Sequence, residues 1–250
     1  MTTSPSFTTI SELSDSPRHR AGRNRLLDAL PPRVIERILP HLERVPLPDA
    51  MTIHQPHVPI THVYFPCTGV ISMVSEMDEG TVEVGIVGCE GMTGLPLVLG
   101  ATTMAMRAFV QVRGDALRMR SDDLLRTMRD SPRFEGLLRR YALALFDQTA
   151  QHAACNRLHT LEERCARWLL MSHDRVDGDV LVLKQQFLAE MLGVHRPAVT
   201  LAAGALQRAG VIRYARGKVT VLDRPALERA SCGCYRIIAR RVEELLSGTH

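Results

Sequence analysis

The chain has 250 residues, 45% of them hydrophobic and 4% aromatic, and carries a net charge of +4. That suffices for two small globular domains, and no apolar run approaches the roughly 18 residues a bilayer-spanning helix needs. The charge is unevenly placed: residues 1–159 hold 17 Lys+Arg and 17 Asp+Glu, whereas residues 160–250 hold 14 and 10, so the front is no general polyanion binder.

Residues 1–24 are rich in Ser, Thr, Pro and Arg without a period, which reads as a flexible segment. Apolar residues then recur at helical spacing (Leu26, Leu27, Leu30; Val34, Ile35, Ile38, Leu39), and Pro31-Pro32 divides them into two short helices. From 45 to 119 the pattern changes to short strands, among them 63–65, 70–74, 82–87 and 108–112, with Asp78-Glu79-Gly80 as one of the turns. Such spacing indicates a β-sandwich or barrel.

A short helix follows over 122–129, with Ser121 as its cap and Leu124, Leu125 and Met128 inward. Pro132 opens a long helix reaching about residue 158. In it Phe134, Leu138, Tyr141, Leu145, Gln148, His152 and Cys155 alternate by four and three, a heptad-like seam. The front of the seam is apolar and the back polar, and a single-chain core explains the back poorly. Thr160 and Glu163 fit a capping box for a helix over 160–174, where Leu161, Cys165, Trp168 and Leu169 pack inward. Asp177-Gly178-Asp179 is a turn into a strand at 180–183.

Residues 187–221 are the most informative stretch. Phe187, Leu188, Met191 and Leu192 share one helical face, and Gly193 stands where a sharp turn needs positive φ. A second helix begins near Arg196, with Pro197 in its first turn and Val199, Ala202, Ala203 and Leu206 as its buried stripe. Two helices joined by a short glycine turn are a helix-turn-helix signature. The segments 211–214 and 218–221 then read as strands around the tight turn Ala215-Arg216-Gly217, which makes a wing. From 184 to 219 the basic residues are Lys184, Arg196, Arg208, Arg213, Arg216 and Lys218, and Glu190 is the only acid. Such a patch suits DNA phosphates. Arg196, Pro197, Thr200 and Leu201 lie on the outer face of the second helix, with Arg196 expected on guanine O6 and N7, and His195 joins them in the expected DNA-binding set. Arg213, Arg216 and Lys218 are the expected backbone anchors, and Arg208 is a further expected DNA-binding residue.

This stretch resembles the winged helix-turn-helix of the Crp/Fnr family of bacterial transcription regulators. The match runs through Phe187-Leu188-Ala189, the Gly193 turn, Arg196 and Gly210-Val211-Ile212. It departs at Pro197 and Leu201, where many members carry Glu and a second Arg, so a different operator is expected. His62-Val63-Tyr64-Phe65-Pro66-Cys67-Thr68-Gly69-Val70-Ile71 is similar to the part of the family's sensor roll that precedes its phosphate-binding cassette.

The resemblance implies an α+β architecture. A cyclic-nucleotide-binding-like β-roll (double-stranded β-helix) sensor spans 25–130, a dimerisation helix 131–159 and the winged helix-turn-helix 160–223, with a terminal helix over 224–250. It also implies that the seam from Phe134 to Cys155 is a homodimer axis. In members that bind cyclic AMP, a Gly-Glu pair and a following Arg hold the nucleotide. The corresponding residues are Glu90, Gly91 and Arg107, but Met92 replaces the ribose-binding Glu and Arg107 lies too far along. A degenerate effector roll is therefore expected, with no cyclic nucleotide. Expected partners are double-stranded DNA, a second copy, RNA polymerase and an unidentified small-molecule effector, in the cytoplasm.

Six cysteines, at 67, 89, 155, 165, 232 and 234, are too scattered for a disulfide scaffold. Cys232-Gly233-Cys234 lacks the two further ligands that zinc requires, and no cysteine precedes Cys67 to suit the family's iron–sulfur clusters, so no metal is expected. Thiol sensing at Cys155, Cys232 or Cys234 competes with buried inert cysteine. Nothing resembles a nucleophile–base set, a P-loop or a dinucleotide fingerprint, and no enzyme is expected. The competing reading is a small-molecule-binding module whose helix-turn-helix mediates protein contacts.

Overall fold

The computed structural model describes residues 23–176 and 178–247. The expected flexible segment lies outside them up to residue 22, as does Asp177 of the expected turn. Asn24 already belongs to the fold. Its side chain caps α1 (Arg25–Asp28) by accepting from Leu27 N, and its Nδ2 donates to Pro66 O and Gly91 O, both at 2.8 Å. After α2 (Pro32–Ile38) and a 3-10 turn come five strands: β1 (Glu43–Leu47), β2 (Thr52–His54), β3 (His62–Met77), β4 (Gly80–Val87) and β5 (Arg107–Arg120). They form one antiparallel sheet in the order β1-β5-β3-β4, with β2 also on β5.

Two of the expected short strands are one long strand. The ladder between β3 and β5 shifts register three times between Pro66 and Ile71, where Pro66 offers no N–H and Gly69 takes φ +80°. A Cβ at Gly69 would sit 2.6 Å from Val112 O. Bulges bend the strand without ending it, so the sheet curls into a roll. Phe65, Ile71, Met92 and Met119 fill the inside, each 1% exposed or less.

α3 (Ser121–Asp130) is capped differently from expectation: Arg120 is its N-cap, and the Ser121 hydroxyl donates to Ile60 O at 2.6 Å. α4 (Pro132–Leu158) follows at once, with Ser131 accepting from Phe134 N. Phe134, Leu138 and Tyr141 sink into the roll core, worth ~1.5–3 kcal/mol for each large apolar side chain.

The C-terminal half contains α5 (Leu161–His173), β6 (Val180–Val182), α6 (Gln185–Leu192), α7 (Arg196–Arg208), β7 (Ile212–Ala215) and β8 (Lys218–Val221). The Thr160–Glu163 capping box is present. β6, β8 and β7 make a three-stranded antiparallel sheet in that order. The single terminal helix expected from the sequence is two, α8 (Arg224–Ala230) and α9 (Cys234–Ser247). Ser231 turns extended at the end of α8. α9 then leaves the C-terminal half: Tyr235 and Ile238 pack in that half's core, while Leu245 packs in the core of the roll. No helix among the described residues is long and apolar enough to cross a membrane.

Candidate nucleic-acid interface

The hook forms because its turn residue tolerates what the geometry demands. Gly193 closes α6 at φ +64°, ψ +43°. Gly193 N–H donates to Glu190 O at 3.1 Å and Val194 N–H to Ala189 O at 3.0 Å, which satisfies the last carbonyls of α6. Pro197 stands in the first turn of α7, and Val199, Ala202, Ala203 and Leu206 are buried, as the spacing predicts. The opposite face is open. His195, Arg196, Pro197, Thr200, Leu201, Arg208, Arg213, Arg216 and Lys218 are all exposed. Leu201 is 72% exposed, a solvent-facing apolar side chain that the fold of a single chain does not use.

The wing turns on two residues, Arg216 at φ +52° and Gly217 at φ +72°, with Ala215 paired to Lys218. Two successive left-handed residues make the hairpin turn that matches strand twist, and the non-glycine costs roughly 1 kcal/mol. The strained position carries an exposed guanidinium. Between wing and α7 lies a cleft lined by Lys184, Gln185, Gln186, Arg196, Tyr214 and Arg216. Tyr214 braces it by donating its hydroxyl to Leu183 O at 2.9 Å. Arg196 and Arg216 thus meet at one opening, whereas Arg208 lies at the far end of α7. Gln185 was missed in the sequence: the Thr200 hydroxyl donates to its Oε1 at 3.1 Å. Its place at the start of α6 was the available signal.

The three candidate effector residues do not converge. Glu90 is 6% exposed and locked to Arg175 at 2.7 Å in a buried ion pair that ties the roll to the end of α5. Gly91 lies under Tyr141, whose hydroxyl donates to Met92 O; a Cβ there would sit 2.1 Å from that hydroxyl oxygen. Arg107 stands elsewhere on β5, bound to Glu76 at 2.7 Å and stacked over Phe109. The cavity beside Glu90 is lined by Arg25, Arg175 and residues of α9, not by Arg107.

The expected dimer seam is corrected. Phe134, Leu138, Tyr141, Gln148, His152 and Cys155 are buried by the chain itself, and Leu145 is half-buried against the same core. The polar back half has a local reason. β4 is an edge strand, and Gln148 Oε1 accepts from Ile86 N at 3.0 Å while the neighbouring Thr149 hydroxyl donates to Val84 O at 3.2 Å. These side chains satisfy a sheet edge that would otherwise be left unpaired. Burial pushes the pKa of His152 down to about 3, so it is neutral. The exposed face of α4 is Arg139, Leu143, Phe146, Ala150, Ala153 and Arg157, which also alternate by four and three. Leu143 and Phe146 are 60% and 68% exposed.

The fold brings two further potential ligands to Cys232 and Cys234. Cys155 and His159, at the end of α4, meet them with all four ligand atoms within 4.8 Å of one another.

Residues 163–230 match the Crp-like helix-turn-helix domain. Solved structures share the fold over most of the chain. A protein of the Crp/Fnr family from Eubacterium rectale aligns at 19% identity and a TM-score of 0.65, covering 82% of this chain and 96% of that one. FixK2 from Bradyrhizobium japonicum aligns at 14% and 0.62, covering 77% and 98%. TTHB099, a CRP-family transcriptional regulator from Thermus thermophilus, aligns at 18% and 0.61, covering 76% and 96%. At these identities the likeness is one of fold. No curated protein sequence matches significantly.

Proposed function

We propose that this chain is a Crp/Fnr-type transcription regulator that binds double-stranded DNA as a homodimer through the α7–wing face, a reading supported by the Crp-like helix-turn-helix match over residues 163–230 and by the shared fold. The observation that carries this is the pair Arg196 and Arg216 at the mouth of one cleft, with Arg213 and Lys218 exposed on the same wing hairpin and no ion pair to any of the four among the described residues. Unpaired exposed cations on one face attract a polyanion, and phosphate neutralisation supplies most of the non-specific affinity. Arg196, at the start of α7, is the base reader; Arg213, Arg216 and Lys218 hold phosphates.

The second copy docks on the outward seam of α4 through Leu143, Phe146 and Ala150, replacing the inward one. The roll acts as a degenerate sensor whose state reaches the DNA-binding half through contacts that bridge the two. These are Glu90–Arg175, the Trp168 indole donating to Glu83 at 2.9 Å, and the edge-to-face pair Phe109–Phe187. A signal that favours one arrangement of these contacts shifts the population of DNA-competent dimers. RNA polymerase and a small-molecule effector are the further partners of this reading, its place is the cytoplasm, and its role is regulatory rather than enzymatic.

The test is a salt-titrated shift assay on duplex DNA. Wild type should bind at low salt, with log affinity falling linearly against log salt. Arg196→Ala should lose the preference among sequences, by about 1–3 kcal/mol at one base position, while Lys218→Ala weakens all sequences alike and flattens the salt slope by about 1. Uniform loss in both variants would overturn the division of roles. No binding at low salt would favour a helix-turn-helix that contacts protein.

A further inference from the structure

We propose that Cys155, His159, Cys232 and Cys234 bind a single structural Zn²⁺ ion that clamps the α8–α9 junction to the end of α4. The site is independent of the DNA-binding reading. It draws on two stretches 77 residues apart: Cys155 Sγ lies 3.5 Å from Cys232 Sγ, and Cys234 Sγ lies 3.6 Å from His159 Nδ1. All four ligand atoms fall within 4.8 Å of one another. With Zn–S bonds of about 2.3 Å, a tetrahedron puts its sulfurs about 3.8 Å apart, so closure takes only small side-chain movements. Three thiolates and one imidazole are a recognised structural zinc set.

The local backbone serves this arrangement. Cys155 lies in the last turn of α4 and His159, four residues on, is the C-cap of that helix, its N–H donating to Cys155 O at 3.1 Å. Cys232 lies in the break between α8 and α9, and Cys234 is the first residue of α9. An uninterrupted helix would have turned these two thiols to different faces. The break that the sequence pattern did not foresee is what brings them together.

The surroundings suit an anionic metal–thiolate centre. The three cysteines are buried and make a small cluster of their own. Gln151 Nε2 donates to Cys234 Sγ at 3.0 Å, the kind of outer contact that orients a metal ligand. The guanidinium charges of Arg164 and Arg167 act on Cys155, and each keeps a buried Nε without a hydrogen-bond partner. Three thiolates around Zn²⁺ leave one net negative charge, which such a neighbouring cation offsets. Arg164 also donates to Leu192 O at 2.6 Å, at the turn between α6 and α7. The site therefore sits where the long helix, the C-terminal helices and the DNA-reading hook join. A disulfide between Cys155 and Cys232 would leave Cys234 and His159 unexplained. An iron–sulfur cage spreads its thiolates over several irons, whereas this set encloses room for one ion.

The experiment is metal analysis of the full chain, purified under reducing conditions with any affinity tag removed. Mass spectrometry should find about one zinc per chain. After chelation, titration with Co²⁺ should give the thiolate-to-cobalt charge-transfer band and the visible bands of a tetrahedral site. Cys155→Ser and Cys234→Ser should each weaken zinc binding by more than about tenfold, while Cys67→Ser, outside the set, leaves it unchanged. A wild-type chain without zinc and without the cobalt charge-transfer band would overturn the proposal, and needs no variant that folds. So would a Cys155–Cys232 disulfide in the purified protein, or zinc retained undiminished in both serine variants.

Discussion

Glu83 shows what a single residue contributes to the joint between the two halves. It is 6% exposed, accepts from the Ser72 hydroxyl at 2.6 Å, and receives the Trp168 indole N–H across the interface. Burial pushes its pKa up to about 7 from 4.5, and the two hydrogen bonds together with Arg167 limit the rise. Between those values the folded chain holds a proton that the unfolded chain has released. Stability therefore falls as pH rises through that window and levels off above about 7, a loss of about 3 kcal/mol at most. Glu83→Gln should abolish that contribution. Urea midpoints at pH 5 and pH 8 measure it: the variant should lose less stability than wild type between the two, and equal losses would show that Glu83 ionises freely in the fold. The sequence marked Trp168 as a core residue, and it is, but its polar partner lies 85 positions away and leaves no local signal. Gly193 and Pro197 were legible because their demands on the backbone are local. The Cys155, His159, Cys232 and Cys234 set was not, since each pair by itself falls short of a ligand motif.

At the scale of elements, the long helix α4 separates what periodicity can and cannot tell. Its existence and length follow from the Pro132 start and the apolar repeat, and the structure places it as the pattern predicts. Its orientation does not follow, because two faces carry a repeat of four and three. The face from Phe134 to Cys155 is richer in large apolar groups and goes to the chain's own core; the adjacent face with Leu143 and Phe146 is left to solvent. The two should respond differently to mutation. Leu138→Ala should cost ~2–5 kcal/mol of stability, as a fully buried leucine does. Phe146→Glu should leave the fold intact and shift the protein from dimer to monomer, read by sedimentation velocity. A Phe146→Glu protein that remains dimeric would place the second copy elsewhere. The roll was readable as a class, from strand spacing and turns, but not as individual strands, because Pro66 and Gly69 bend a strand that they were expected to end.

At the scale of the whole molecule, a basic reading face, an outward helical seam and a filled roll have to work as one object. Leu245 of α9 rests in the core of the roll while Tyr235 and Ile238 of the same helix belong to the helix-turn-helix half. With Glu90–Arg175 and Glu83–Trp168, that helix joins the two halves. On the proposed reading, a two-fold axis along the outward seam of α4 would present two α7 helices to one face of a duplex, and the dimer would read an inverted repeat. The most direct test is selection from a pool of random duplexes by the full-length protein. The account predicts enrichment of an inverted repeat whose half-sites are about 10 base pairs, or ~34 Å, apart from centre to centre. It also predicts that Arg196→Ala abolishes the enrichment. Recovery of no common sequence, or of a single half-site without its inverted partner, would contradict it.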